Sequence, residues 1–259
     1  MTKRLSLLVC ALTCALALAA LAQAETKQSG DLRVTFEGQL SPHALPRSGT
    51  APVKVAVGAK ISTANGDDPP QLQKISIAIN RNGRFDPTGL PVCQLEDIQP
   101  STTADALAAC RSSLVGEGSF SAKVLLPQQA PFPSQGKVYA FNSRLGGRPA
   151  ILAHVYGTQP VPTSYTLPFA ISSAKGTFGT VLSTSLPHVT SAWGYVTGLQ
   201  MTLSRTFSYR GQRRSYLSAG CPAPKGFPGA SFPFARASFA FKGEKTLSST
   251  LTRSCGVRE

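Results

Sequence analysis

The sequence predicts an all-β protein, arranged as an antiparallel β-sandwich or an open barrel, and three observations point to this class. Short stretches alternate apolar and polar residues with the two-residue period of a half-buried strand, most clearly at 32–36, 53–57 and 75–79. The 23 Gly and 20 Pro residues punctuate about a dozen such stretches, as is typical of sandwiches and barrels. Charged residues make up only 15% of the chain, so Ser and Thr hydroxyls supply much of the polar surface.

Further stretches share this β-branched and aromatic composition and complete the expected set of strands. They are 120–126, 138–141, 151–156, 165–171, 178–182, 198–209, 215–218, 234–241 and 246–252. No internal repeat of fixed period is present in the sequence, so a repeat architecture is not expected.

The first 24 residues are expected to be a cleaved signal peptide. Lys3 and Arg4 give a positive start, and the stretch 5–21 carries no charge and is almost entirely apolar. Ala22-Gln23-Ala24 then supplies the small-x-small pattern that signal peptidase accepts. The alternative is a retained membrane anchor, but the run lies at the lower limit for spanning and no later segment is long enough. We therefore expect a secreted protein, extracellular or associated with the cell envelope, with no transmembrane segment after cleavage.

Four cysteines remain after the expected cleavage, and an even number in an exported chain indicates disulfides. Each of two pairs flanks its own local segment, which favours Cys93–Cys110 and Cys221–Cys255 among the three pairings that four cysteines allow. A zinc site is the alternative, but the chain has no C-x-x-C pair and its three histidines are scattered. No metal or other cofactor is expected.

One short helix is expected after Pro100. Thr102 can cap its first turn, and Asp105 follows three residues later, near the positive end of the helix. Ala104, Leu107 and Ala108 form its apolar stripe. Cys110 would then join the end of this helix to Cys93.

The segment 158–163, Thr-Gln-Pro-Val-Pro-Thr, is the best candidate for a linker, because alternate prolines cannot sit in a central strand. A split there would give an N-terminal β lobe over 25–160 and a C-terminal basic β lobe over 161–259, with one disulfide in each. A single domain that continues across residue 160 is the alternative, and the sequence leaves both open.

The acidic residues are distributed unevenly along the chain. The segment from Glu25 to Glu117 holds ten acidic and nine basic residues, whereas no Asp or Glu lies between Glu117 and Glu244. Twelve Lys and Arg residues occupy that second interval, from Lys123 to Lys242. The second half is therefore a candidate surface for an anionic cell-wall polymer or another polyanion, without specific recognition of nucleic acid. The alternative is a basic surface that serves only solubility. The interval also excludes any chemistry that needs a carboxylate from within it.

A hairpin with four arginines is the strongest local pattern in the basic half. Gly211-Gln212 fits a two-residue type II′ turn between two short strands. The resulting register would place Arg210 opposite Arg213, Tyr209 opposite Arg214, and Phe207 opposite Tyr216. Like charges that face each other are unfavourable without a counterion, which favours an anion between them. The candidate anion-binding residues are Arg205, Arg210, Arg213 and Arg214. Solvated arginines at the tip of an aromatic hairpin are the alternative.

No catalytic motif accompanies these features. The sequence lacks a G-x-S-x-G elbow, a phosphate loop and a dinucleotide fingerprint. His43 and His188 lie in loops, and His154 lies in a strand, where a partly buried, hydrogen-bonded histidine is expected. Asn80, Asn82 and Asp86 have the spacing of a calcium loop. Arg84 stands where a ligand is needed, however, and Asn82-Gly83 is better explained as a tight turn.

Several stretches resemble a family of uncharacterised secreted bacterial β-rich proteins. The segments 221–227, 232–237 and 247–255 resemble the end of that family, and 89–93 with 109–111 resembles its middle. The resemblance implies export and a β fold. It assigns no activity, so no site residue follows from it.

The sequence thus leaves two classes of function. The first is a secreted, non-catalytic extracellular or envelope-associated protein that contacts anionic polymers through its basic second half. The second is an extracellular hydrolase or a carbohydrate-binding module, which a cleft with converging acid and base groups or a row of exposed aromatic rings would favour. The residues favour the non-catalytic class, and they do not specify the oligomeric state.

Overall fold

A computed structural model describes residues 24–125, 128–159, 162–186 and 194–258 of the chain. The predicted signal peptide lies outside the described residues, apart from Ala24, and so does His188. No helix in these ranges is long and apolar enough to cross a membrane.

The described ranges contain eighteen strands, which confirms the all-β prediction. They are β1 (Glu25–Ser29), β2 (Leu32–Ser41), β3 (Ala44–Pro46), β4 (Ala51–Pro52), β5 (Lys54–Thr63), β6 (Leu72–Asn80), β7 (Gly83–Phe85), β8 (Leu114–Val124), β9 (Phe132–Leu145), β10 (Arg148–Gly157), β11 (Thr163–Ser173), β12 (Phe178–Ser185), β13 (Gly194–Leu203), β14 (Thr206–Tyr209), β15 (Gln212–Ser215), β16 (Leu217–Ala219), β17 (Gly229–Phe241) and β18 (Thr246–Arg258).

Thirteen of these strands form one large sheet in the order β1-β2-β5-β13-β8-β9-β10-β11-β12-β6-β17-β18-β3. Neighbouring strands are antiparallel, except that β3 runs parallel to β18 at the edge. Strands from the two halves of the sequence are interleaved: β13 lies between β5 and β8, and β6 lies between β12 and β17. The division of the chain near residue 160 stays a prediction, but strands from both sides of that position are direct neighbours.

The large sheet curls until strands near its two ends meet, so the open barrel is the form that the chain adopts. β18 lies against β1 and β2, which stand at the opposite end of the strand order. Arg253 of β18 donates from Nε to the carbonyl oxygen of Gly38 in β2 at 2.6 Å. A Cβ atom at Gly38 would lie 3.0 Å from Leu251 Cδ1, so the glycine permits this close approach. The result is a half-barrel with a concave inner face.

Two short helices cover the outer face of strands β9 and β10. They are α1 (Leu95–Ile98), which the sequence did not predict, and α2 (Thr103–Cys110), which it did. Thr102 accepts a hydrogen bond from the backbone N–H of Asp105, and the Asp105 carboxylate accepts one from the N–H of Thr102. This capping box confirms the predicted start of the helix. The helices bury a small cluster with the sheet, which comprises Cys93, Ile98, Ala106, Cys110, Phe141 and Leu152.

Both predicted disulfides are present. Cys93–Cys110 joins the segment before α1 to the end of α2, with the two Cα atoms 5.4 Å apart. Cys221–Cys255 joins the segment after β16 to β18, with a Cα–Cα distance of 5.8 Å. The first disulfide fixes the helical pair, and the second fixes one end of the curled sheet.

Two small sheets complete the fold. β14 and β15 form a hairpin, and β4, β16 and β7 form a three-stranded sheet in that order. β16 follows the hairpin directly, so the two small sheets are consecutive along the chain. The predicted linker connects β10 to β11, which are antiparallel neighbours, although residues 160 and 161 lie outside the described residues.

Candidate functional site

The concave face of the half-barrel encloses a cavity of about 120 Å³. Its walls come from strands all around the curl, because each strand turns every second side chain inwards. The aliphatic and aromatic side chains on these walls are Phe36, Leu40, Val53, Val55, Val57, Ile75, Ile77, Ile79, Phe85, Val138, Ile151, Val155, Leu167, Phe169, Leu182, Leu199, Met201, Leu203, Leu217, Phe232, Phe234 and Phe239. The apolar side chains whose alternation predicted strands at 53–57 and 75–79 therefore also line two walls of the cavity.

The cavity is a gap in the interior and not a fully packed core. Several lining side chains that point inwards keep part of their surface exposed, among them Val57, Ile77, Leu199 and Met201. Protein interiors are normally close-packed, with few voids larger than a water molecule. An apolar gap of this size lacks the polar partners that ordered water needs. It is therefore suited to an apolar guest.

The polar residues that border the cavity cluster at one end of it, and their polar groups contribute almost nothing to its surface. Among the described lining residues, the polar or charged ones are Asn80, Asn82, Arg84 and Ser218. They lie at the end of β6, in the turn that follows it, in β7 and in β16. Arg84 is exposed because its side chain alternates with that of Phe85 onto the face of the small sheet that points away from the cavity.

Hydrogen bonds of Asn80 hold this polar end in place. Its Oδ1 accepts from the backbone N–H of Asn82 at 3.0 Å and from Asn82 Nδ2 at 2.9 Å. Its Nδ2 donates to the carbonyl oxygen of Pro233 at 2.7 Å. The turn occupies Arg81 and Asn82, one residue earlier than the predicted Asn82-Gly83. Asn80 and Asn82 are thus hydrogen-bonded to each other within the turn. The turn itself therefore explains the calcium-like spacing of Asn80, Asn82 and Asp86.

The small sheet β4-β16-β7 forms the floor of the same end. Arg84 lies opposite Ser218 in the register of β7 and β16, and the backbone N–H of Gly220 donates to the carbonyl oxygen of Asn82 at 3.0 Å. The ring of Phe85 packs edge-on against Tyr216, with the centroids 5.6 Å apart. Alternation in β7 thus turns Phe85 towards the core and leaves the Arg84 side chain exposed.

The arginine hairpin forms, but with a different turn and register from those predicted. The pairs are Thr206 with Ser215, Phe207 with Arg214, Ser208 with Arg213, and Tyr209 with Gln212. The turn therefore consists of Arg210 and Gly211, with φ angles of 50° and 74°. Positive φ at both positions defines a type I′ turn, whose twist matches the flanking strands, so the predicted type II′ turn was wrong. Arg210 and Arg213 consequently do not face each other across the strands.

The four candidate anion-binding arginines have different environments. Arg214 Nη1 donates to Asp86 Oδ2 at 2.9 Å, an ion pair that sequence reasoning missed because 128 positions separate the residues. Arg205 is partly buried, whereas Arg210 and Arg213 are exposed. The guanidinium carbons of Arg210 and Arg214 lie 5.3 and 5.7 Å from the centre of the Tyr209 ring. The hairpin therefore offers Arg210 and Arg213 as its exposed cations.

His154 lies beneath the helices and not in a cleft. It is 0% exposed, between Tyr139 and Thr166 of the neighbouring strands, and burial lowers the pKa of its imidazole. Neither ring nitrogen of His154 has a hydrogen-bond partner among the described residues, so the histidine is more deeply buried than predicted and lacks the predicted hydrogen bond. Solvent and substrate do not reach this side chain.

One cluster in the described ranges has the residue types of a metal site. It consists of Cys93, Asp97 and Cys110, and the two sulfurs are joined in a disulfide, so they are not free to ligate. The exposed large apolar side chains of these ranges are Leu95 in α1 and Phe227 in the loop before β17, and they form no row of aromatic rings. The cavity is therefore the best-defined candidate site.

No protein-family model, no curated protein and no solved structure matches this chain.

Proposed function

We propose that this protein is a non-catalytic binding protein that holds one slender hydrocarbon chain inside its curled sheet. The observation that carries the proposal is the apolar cavity between the strands. Ligand sites are typically cavities lined predominantly by apolar side chains, and the walls of this cavity are almost entirely apolar.

The volume of the cavity limits the size of the ligand that it can hold. An engineered cavity of about 150 Å³ with apolar walls stays dry and binds benzene. The present cavity is slightly smaller, at about 120 Å³. It therefore suits a single alkyl segment better than a fused ring system or a lipid with two chains.

The proposal is tested by filling the cavity. Ala59 of β5 lines it, whereas Ala56 of the same strand points to the outer face, and both are partly exposed. Ala59→Leu places three additional carbon atoms in the cavity, and Ala56→Leu adds the same atoms outside it. Binding of decanol is measured by isothermal titration calorimetry.

We expect decanol to bind to the unmodified protein and to Ala56→Leu. Ala59→Leu should bind decanol about tenfold more weakly, since the guest loses the space that the new side chain fills. Its free energy of unfolding should stay the same or rise, because filling a void restores packing contacts. Equal binding by the two variants, or no binding by the unmodified protein, would contradict the proposal.

We also propose that the protein acts outside the cytoplasm, either free or associated with the cell envelope. The two disulfides support an oxidising compartment, and the stretch 1–24 supports export. The mass of the protein recovered from its host should correspond to a chain that begins at Glu25. A recovered protein that retains Met1–Ala24 would contradict cleavage.

Contact with an anionic cell-wall polymer is a second candidate function. The exposed Arg210 and Arg213 at the tip of the hairpin favour it. This surface is separate from the inner face of the half-barrel, so one protein can carry both activities.

A further inference from the structure

We infer that the loop 221–228, between β16 and β17, docks this protein on an anionic lipid membrane. The ring of Phe227 enters the membrane interface, and the Lys225 ammonium contacts the lipid phosphates. This inference goes beyond the proposed function, and it does not depend on the cavity.

Phe227 is the most exposed large apolar side chain among the described residues. It keeps 59% of its surface exposed, compared with 37% for Leu95. Pro224, Lys225, Gly226 and Pro228 around it are exposed as well. A single exposed apolar side chain is common on protein surfaces, so exposure alone does not indicate a partner. The indication comes from the way in which the loop holds the ring.

The loop is anchored at both ends to strands of the large sheet. At its start, the backbone N–H of Cys221 donates to the carbonyl oxygen of Pro46 in β3 at 2.9 Å, and the disulfide joins Cys221 to Cys255 in β18. At its end, the backbone N–H of Val257 in β18 donates to the carbonyl oxygen of Pro228 at 2.7 Å. The base of the loop is therefore fixed.

The tip of the loop is held by a turn and by Arg47. The backbone N–H of Phe227 donates to the carbonyl oxygen of Pro224 at 3.2 Å, and Gly226 supplies the positive φ, 89°, of a type II turn. Arg47 Nη1 donates to the carbonyl oxygens of Ala223 and Pro224, and Nη2 donates to that of Phe227 at 2.7 Å. The exposed ring thus stands on a backbone that is already ordered, which reduces the entropic cost of binding.

The charge around Phe227 is positive. The described segments 42–49 and 221–230, which meet beside the end of β18, contain no Asp or Glu. Arg47 keeps its charge because its partners in the loop are neutral carbonyls. Lys225 has neither a hydrogen bond nor an ion pair with any described residue.

An apolar ring beside two cations complements an anionic lipid surface. Binding at such a surface strengthens with the apolar area that leaves water and with attraction to the anionic head groups. A soluble polyanion would complement Arg47 and Lys225 equally well, but it has no apolar layer for the ring. The combination of Phe227 and Lys225 therefore favours the membrane.

The test is sedimentation with vesicles of phosphatidylglycerol and phosphatidylcholine, compared with vesicles of phosphatidylcholine alone. We expect the mixed vesicles to bind the unmodified protein about tenfold more tightly. Phe227→Ala should weaken this binding about tenfold, because the ring no longer leaves water. Leu95→Ala is the matched control, since Leu95 is also exposed but stands in α1 beside Glu96 and Asp97. It should change binding less than about twofold.

Two further variants test the charge and the depth of the contact. Lys225→Gln should weaken binding about fivefold at low salt, whereas Lys175→Gln, at another exposed lysine, should change it less than about twofold. Lipids brominated in their acyl chains should quench the added fluorescence of Phe227→Trp and not that of Leu95→Trp.

Three results would overturn the inference and leave the proposed function standing. The first is no binding of the unmodified protein to the mixed vesicles. The second is equal weakening by Phe227→Ala and Leu95→Ala. The third is weakening by Lys225→Gln but not by Phe227→Ala, which would indicate contact with a polyanion through charge alone. The cavity variant Ala59→Leu should bind the vesicles like the unmodified protein; loss of binding there would assign the effect to the cavity and overturn docking by the loop.

Discussion

Arg214 donates to Asp86 across 2.9 Å and thereby ties the β14–β15 hairpin to the segment that follows β7. The side chains keep 34% and 36% of their surface exposed, so solvent screens the pair. The pair neutralises the charge of one hairpin arginine, and it occupies the carboxylate of Asp86, which follows Arg84 by two residues in the sequence. The exposed cations that remain on the hairpin are then Arg210 and Arg213 at its tip.

Asp86→Asn tests this pair through the pH dependence of stability. Burial raises the pKa of Asp86, but hydrogen bonds from Thr88 and Arg214, together with the charge of Arg214, outweigh it and lower the pKa below 3.8. A lowered carboxyl pKa stabilises the fold above the unfolded value, and that contribution is lost as the pH falls through the folded value. At neutral pH the variant should lose less than about 1 kcal/mol of unfolding free energy, because the pair is exposed.

Urea unfolding of both proteins at about pH 7 and about pH 3 measures this difference. The gap between them should shrink at the lower pH, which lies below the pKa of the carboxyl in the unfolded chain. A gap of the same size at both pH values would show that packing, and not the charge of Asp86, sets the effect.

His154 should make the protein less stable in mild acid. Burial lowers the pKa of its imidazole below 6.5, so between the two pKa values the unfolded chain binds a proton that the folded chain does not. Stability is therefore fully present above the unfolded pKa and falls as the pH decreases, by up to about 1.4 kcal/mol per pH unit. His154→Phe should flatten the stability profile between about pH 7.5 and about pH 5.5.

The exposed His43 is the control for this experiment. His43→Gln should keep the slope of the unmodified protein in the same urea measurements. If His43→Gln flattens the profile and His154→Phe does not, the buried histidine is not the titrating group.

The sequence was sufficient where local chemistry determines the structure. Period-2 alternation located strands such as β5 and β6, and the Thr102–Asp105 capping box located α2, because both depend on neighbours a few residues away. The turn of the arginine hairpin was missed for a local reason too. Gly211 accepts positive φ readily, whereas Arg210 adopts it only because the strand twist favours a type I′ turn.

The cavity could not be predicted because it depends on contacts between distant segments. Alternation shows that Val57 and Ile77 share an inner face, but not how far that face is from the opposite wall. The distance is set by the strand order, in which β6 lies between β12 and β17, and by the closure of β18 against β2 at Gly38. The small sheet beside the cavity was equally hidden, since Arg84 and Ser218 become neighbours only when β7 pairs with β16.

Removing the disulfides one at a time should show what each contributes. The Cys93–Cys110 loop spans 17 residues, so replacing both cysteines with Ala should cost about 3 kcal/mol in the chain-entropy model. The Cys221–Cys255 loop spans 34 residues, and the same change there should cost about 4 kcal/mol. Urea unfolding measures both values, and non-reducing peptide mapping checks the pairing. Recovery of a peptide that links Cys93 to Cys221 would contradict it.

Removal of Cys93–Cys110 should leave ligand binding intact, because the helices that it fixes cover the outer face of the sheet. Removal of Cys221–Cys255 should weaken binding as well, since it fixes the segment after β16, where Gly220 lines the cavity. Isothermal titration calorimetry with decanol distinguishes the two. Equal loss of binding in both variants would mean that global destabilisation, and not the cavity, is responsible.

The hairpin tip gives the last prediction, which concerns contact with a polyanion. Arg210 and Arg213 are exposed, so Arg210→Ser with Arg213→Ser should weaken binding to a phosphate-bearing wall polymer at low salt. The control replaces Lys175 and Lys242 with Ser, because these two side chains are also exposed and the change removes the same charge. Lys123 is unsuitable as a control, since its Nζ lies 2.5 Å from Asp68 Oδ1.

A binding site at the hairpin predicts that the arginine variant loses at least fivefold more affinity than the lysine variant, measured at a single fixed salt concentration. Generic attraction by the charge of the whole protein predicts equal losses, because each variant removes two positive charges. Salt dependence alone does not separate the two cases, since counterion release steepens both. Equal losses would therefore assign the attraction to the overall field, and no binding at low salt would leave Arg210 and Arg213 as solvated side chains at a hairpin tip.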